Sequence, residues 1–312
     1  MSEVRIAAKP LIRSVFVALV IAGILLVPPL VSVEKIGIQA VFNFLRQDAF
    51  YYLASADKSG PGFYTFDGEA PTTGFHPLWQ VLLTGVLTVV GHSSQESQRY
   101  AAFWLSVLLT TIRYVLVGLA VYRMTGSRLL GVLVAPGPFY LMFAFVSRFE
   151  NSPWSFLNGM ESPLSILFGG LLFHAVARVW DDREGESLRY DDALRIGTIL
   201  AFIVLARLDD VFAVPAIAGC VILLCRKPLR RRLATAFALC MPTALAPARY
   251  FFFNYYRTGT VFPISGIGKG GLAIYRNLAQ FLSLNTLDGF PLRVIFIDTD
   301  TGASFVKFEP KK

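Results

Sequence analysis

Asp48, Asp67, Glu69 and His76 lie together in one loop-like stretch, QDAFYYLASADKSGPGFYTFDGEAPTTGFHPLWQ, from Gln47 to Gln80. Carboxylates and an imidazole set among aromatic, Gly and Pro residues can move protons or hydrogen-bond hydroxyls and phosphates. Asp48 is the candidate general base: a carboxylate held at a membrane surface stays ionised at neutral pH and can take the proton of an incoming hydroxyl. The plainer alternative is a surface carboxylate paired with Arg46 or facing water. It sits in a predicted interfacial helix, IQAVFNFLRQDAFYYLASA, whose apolar positions recur at helical spacing, with Tyr51 and Tyr52 as interfacial anchors. Further on, Asp67-Gly68 marks a turn, and Pro77 pushes His76 away from helical geometry. Asp67 and His76 are candidates to bind substrate, against the reading of a structural loop with an interfacial Trp79.

Three later motifs carry polar chemistry. NGMES places Glu161 ahead of Pro163, either as a substrate ligand or as an acid favoured at a helix start by the dipole. ARLDD brings Arg207, Asp209 and Asp210 between two short apolar runs, where the arginine either pairs locally with Asp210 or holds a phosphate, with Asp209 beside it as a candidate substrate contact. Lys269, in PISGIGKGG, follows a Gly-rich stretch that can approach an anion, although GIGKG does not match a P-loop. Cys220, Cys225 and Cys240 all lie in or at the ends of apolar runs, and no Cys or His has metal-ligand spacing, so neither a disulfide framework nor a zinc site is expected and no organic cofactor, while dependence on a divalent metal stays open.

The elements that must position these groups are membrane helices. Of the 312 residues, 54% are hydrophobic and 16% charged, and mean hydropathy is +0.55, beyond the needs of an ordinary soluble core. The net charge of +8 comes from basic residues gathered in short loops, as membrane orientation requires, and not from a basic stripe suited to nucleic acid. Apolar runs at 14–33, 98–122, 128–147, 163–180, 192–207, 211–225 and 233–253 predict an all-α polytopic protein of about seven spans. The run 77–91 is too short to cross comfortably. If it stays on one side, 14 Lys and Arg fall on the cytoplasmic face and six on the other before the tail; if it crosses, RKPLRRR at 226–232 goes to the wrong face. The non-crossing topology puts the three acidic loops and the tail together, opposite the cytoplasm. The basic N-terminus, with Pro28-Pro29 and no small-residue cleavage site, reads as a retained anchor.

In order and spacing, QDAFYYLASA, FDGEAPTTGFHPLW, NGMES, ARLDD and NYYRTGTVFPISG resemble bacterial polytopic glycosyltransferases of the GT-C superfamily, of the arabinosyl- or mannosyltransferase-like kind, over roughly residues 10–270. The resemblance implies a transmembrane module over 1–257, with its catalytic first loop at 34–97, and a non-cytoplasmic tail at 258–312. It also implies a bacterial inner membrane location with the site on the periplasmic or extracellular face, a polyprenyl-phosphate-linked sugar donor, a glycan, lipid or protein acceptor, and inversion at the anomeric carbon. The family's first-loop catalytic acid falls on Asp48. Gln47 stands where members often have a second acid, leaving a single carboxylate where a divalent metal would take two. The family continues with further spans and a soluble domain, so the tail reads as truncated, or acceptor recognition is supplied elsewhere. The rival readings are a lipid-linked-sugar transporter or flippase, whose charges would line a path at mid-membrane, and a non-catalytic membrane scaffold.

Overall fold

The computed structural model describes residues 29–59, 64–91, 94–135, 157–181, 188–225, 227–261 and 263, scattered helical positions between 15 and 27, and residues 296–297 and 304–305. Its contacts divide into two units, Met1–Ser265 and Gly266–Lys312. The second shows one small antiparallel pair, Phe296–Ile297 with Ser304–Phe305.

The first unit is helical. It runs α1 (Ile38–Phe44), α2 (Gln47–Lys58), α3 (Pro77–Val90), α4 (Gln95–Thr125), α5 (Arg128–Val134), α6 (Ser162–Asp181), α7 (Tyr190–Ala206), a 3-10 turn (Leu208–Phe212), α8 (Ala213–Leu224) and α9 (Leu229–Thr258). Three of these, α4, α6 over Ser162–Val179, and α9, are long and apolar enough to cross a membrane, which is compatible with a helical membrane protein. The apolar runs expected at 192–207 and 211–225 form α7 and α8, of 17 and 12 residues. Of the run at 128–147 residues 128–135 are described, with α5 the helix among them, and of the run at 14–33 the described residues, scattered positions from 15 to 27 and all of 29–33, are helical. The segment 77–91 becomes α3, 14 residues and so about 21 Å long, short of the ~30 Å hydrocarbon core.

Local chemistry sets these helix limits. Ser94 caps α4 by accepting the Ser97 N–H at 3.1 Å, and Gly126, at φ 65°, closes it in the left-handed region. The single interfacial helix expected over 38–56 is instead two. Leu45 and Arg46 are extended, and the Arg46 N–H donates to the Asn158 carbonyl at 3.1 Å in place of a partner within the helix. A tertiary bond thus breaks the helix just before Asp48.

Small residues allow close helix approach, as packing inside a bilayer favours. Gly197 of α7 lies so near α9 that an added Cβ would stand 2.2 Å from the Leu239 carbonyl oxygen. The core nearest the polar loops joins Tyr52 and Leu53 of α2, Trp79 and Leu83 of α3, Leu105 of α4, Leu164 of α6, Ala206 of α7 and Tyr250 of α9. The elements carrying the first-loop, NGMES and ARLDD motifs therefore share one packed cluster.

Candidate active site

The NGMES segment docks on the start of α2. Gly159, at φ 72°, presses its backbone against Leu45 and Ala49, where a Cβ would meet Leu45 Cδ2 at 2.4 Å. Asn158 folds the turn by accepting the Met160 N–H through Oδ1 at 2.9 Å. The Glu161 carbonyl accepts from the Leu164 and Ser165 N–H groups at 3.0 Å, starting α6. Its side chain turns elsewhere.

Glu161 is 4% exposed, and a buried carboxylate must find donors. The Tyr52 hydroxyl donates to its Oε2 at 3.1 Å, and His76 Nε2 stands 3.7 Å from Oε1. The Tyr52 oxygen in turn accepts the His76 backbone N–H at 3.3 Å. On the other edge of the imidazole, Nδ1 accepts the Leu208 N–H at 3.1 Å. That bond needs an unprotonated Nδ1, so the ring's proton resides on Nε2, facing Glu161. Burial lowers the His76 pKa; Glu161, Asp209 and Asp210 pull it up, Arg207 pushes it down, and burial prevails. Burial, then the Glu161 charge, pushes the Tyr52 hydroxyl far above its ordinary value. Tyr52 is thus a buried donor. Tyr51, the other expected anchor, is 54% exposed and packs with its ring tilted against Phe66.

Asp48 occupies the first turn of α2, exposed, and no hydrogen bond or ion pair joins it to another described residue. Four residues on, Tyr52 lies on the same helix face, near enough to feel the Asp48 charge. A solvent-facing carboxylate therefore stands one turn from a hydroxyl locked to Glu161 and His76.

The third loop also has its own pairing. Arg207 Nε donates to both oxygens of Asp209, at 2.9 and 3.1 Å. Burial works against the Arg207 charge, but Asp209 more than offsets it and the pKa rises. The local partner is Asp209 and not Asp210, whose Oδ2 accepts from the Ser165 hydroxyl. The reason is reach: the 3-10 turn from Leu208 leaves Asp209 beside the guanidinium and directs Asp210 at α6. Asp209, a candidate substrate contact by sequence, is thus engaged by Arg207.

Asp67 stands apart. Its Oδ1 accepts from the Glu69 and Ala70 N–H groups at 2.8 and 2.9 Å and from the Thr65 hydroxyl at 3.0 Å. Those donors, the Glu69 N–H foremost, hold its pKa down to about 2. It organises an exposed turn closed by the Thr65–Pro71 bridge, and no described hydrogen bond joins it to His76 or Glu161. Lys269 lies outside the described residues. Among the described residues, no three His, Cys, Asp or Glu side chains gather in a way suited to a metal ion.

Beside the cluster opens an apolar cleft of about 280 Å³, walled by Pro77 and Val81 of α3, Leu205 of α7, and Ala246, Arg249 and Phe253 of α9. Two of its lining residues, Phe75 and Pro77, flank His76. The Tyr250 hydroxyl donates to the Phe75 carbonyl at 3.1 Å, tying α9 to the loop there. Tyr52, Gln80 and Arg249 are the polar residues that sequence reasoning passed over for this site. Gln80, fully buried, donates to the Tyr52 carbonyl at 3.4 Å. The available signals were the four-residue step from Asp48 to Tyr52, and a polar or charged residue inside each of two apolar runs.

No family model, curated protein or solved structure matches the chain.

Proposed function

We propose that the protein is a membrane glycosyltransferase that moves a sugar from a polyprenyl-phosphate donor to a cell-envelope acceptor, with inversion. The observation that supports it most is the placement of Asp48: exposed, in the first turn of α2, one turn from the Tyr52–Glu161–His76 cluster. An acceptor hydroxyl attacks the sugar C1, and Asp48 takes its proton as the new C–O bond forms. The C1–O bond to the lipid phosphate breaks, and the phosphate departs with the electron pair as a stable anion, so no general acid is required. Tyr52, Glu161 and His76 hold α2, the first loop and the third loop in register around the base. The protein would act in a bacterial inner membrane, with the site on the non-cytoplasmic face.

One observation favours the transporter reading. Arg113 is 5% exposed in the middle of α4, where an ionisable group often marks a conduction path. The joined ionisable groups, however, sit at helix ends. The deciding experiment is a transfer assay in membranes with radiolabelled lipid-phosphate sugars, wild type beside Asp48→Asn. Transfer that depends on Asp48 supports the enzyme. Sugar-lipid movement across vesicles without transfer would replace it with the transporter.

A further inference from the structure

We propose that the end of the helix bundle where α4, α6 and α8 finish and α7 and α9 begin binds anionic phospholipid headgroups, with Arg230 and Arg231 of α9 as the principal contacts. Binding there does not depend on the reaction proposed above. Three observations support it.

The first is that packing gathers positive charge at this end. Phe168 and Phe202 stack at 5.2 Å between centroids, and the connection at 182–189 is too short to run back along a helix, so α6 finishes where α7 begins. Lys227 Nζ donates to the Leu188 carbonyl at 2.9 Å, which brings the start of α9 there too. Arg178 stands in the last turn of α6 and Arg123 in that of α4, and both act on the charge of His174. The candidate active site, with Glu161 at the start of α6 and Asp209 after α7, occupies the opposite end.

The second is which of these cations the fold leaves for a partner. In RKPLRRR at 226–232, Lys227 is held by Leu188, and Arg232 donates to the Lys227 and Ile222 carbonyls, so these two close the corner between α8 and α9. Arg230 and Arg231 are exposed, and no hydrogen bond or ion pair joins either guanidinium to another described residue. Nearby, Asp191 lies 4.0 Å from Arg189 and Asp192 is buried, while Asp182, Glu184 and Glu186 lie outside the described residues. The first turn of α9 holds no acid, although that helix end is itself positive.

The third is the apolar surface beneath. Leu229, Leu233 and Phe237 are exposed at four-residue steps along α9, a helix long and apolar enough to cross a membrane, and so form one stripe. Such a stripe meets acyl chains, which puts the arginines of the first turn at headgroup level. A soluble anion would use the arginines alone; a phospholipid uses both features.

The test is native mass spectrometry of the full chain in detergent, titrated with phosphatidylglycerol or with phosphatidylcholine of the same acyl chains. Phosphatidylglycerol should bind about tenfold or more tightly, and Arg230→Gln/Arg231→Gln should bring the two lipids within about twofold, since each basic residue at a membrane surface is worth about fivefold. Arg230→Lys/Arg231→Lys should keep most of the preference, and high ionic strength should weaken it. Lys35→Gln/Arg257→Gln removes the same charge elsewhere, Arg257 being in the last turn of α9, and should bind as wild type. Equal affinity of the wild type for the two lipids would overturn the assignment, as would an unchanged preference in Arg230→Gln/Arg231→Gln shown folded by thermal unfolding. An equal loss in Lys35→Gln/Arg257→Gln would overturn it in favour of net charge. Displacement of phosphatidylglycerol by inorganic phosphate at the same concentration would replace it with a general anion site.

Discussion

The Tyr52 hydroxyl donates to Glu161 Oε2 across 3.1 Å, joining two residues 109 positions apart in the chain. This bond ties the helix that carries Asp48 to the start of α6. Tyr52→Phe removes the donor and leaves a buried carboxylate short of a partner, at a cost of about 1 to 3 kcal/mol. In a denaturant titration the loss should shrink when Glu161→Gln is already present, because the two changes act on one interaction. Strictly additive effects would mean that the bond contributes nothing.

Asp48→Asn keeps the size of the side chain and removes its capacity to take a proton. Turnover should fall by roughly a hundredfold to ten-thousandfold, the usual worth of a positioned base, while the protein inserts and melts as wild type. Asp57→Asn is the control: Asp57 Oδ1 accepts from Gln98 at 2.6 Å, an acceptor that Asn retains. Near wild-type transfer by Asp48→Asn in an active preparation would remove the catalytic assignment.

His76 makes the loop assembly sensitive to acid. Its folded pKa lies below the ordinary 6.5 because burial disfavours the cation, so the unfolded chain takes up its proton at a higher pH than the folded one. Stability from this group is therefore present above about pH 6.5 and is lost as pH falls toward the lower folded value. Protonation at Nδ1 also breaks the bond from the Leu208 N–H. Thermal unfolding followed from pH 7.5 to 5 should show a steeper decline for wild type than for His76→Asn, whose Oδ1 can accept from Leu208 without titrating. Parallel pH profiles would contradict this role.

Gly159→Ala should destabilise the protein by about 1 to 3 kcal/mol and slow transfer, since its φ of 72° and the approach of Leu45 Cδ2 both oppose a Cβ. Gly169→Ala, with nothing within 4 Å of the added carbon, serves as the neutral comparison. Equal melting temperatures for the two variants would mean that NGMES does not need its close seat on α2.

What was legible from sequence was whatever neighbouring residues decide among themselves. The apolar runs at 98–122, 163–180 and 233–253 became helices of spanning length within a few residues of those limits, because hydropathy and periodicity are local properties. The rarity of ionisable groups in such a chain picked out His76, Glu161 and Arg207 without any knowledge of packing, and the structure joins their segments. Tertiary structure decided the partners of His76 and Glu161. His76 Nδ1 finds Leu208 across 132 positions, and the helix read over 38–56 breaks where Arg46 meets Asn158, whereas Arg207 meets Asp209 two residues on through the local 3-10 turn. Asp67, equally conspicuous in sequence, spends its carboxylate on its own turn. A residue's type declares which hydrogen bonds it can make, but the donor that reaches it is set by helix packing between segments a hundred residues apart, which no local pattern encodes.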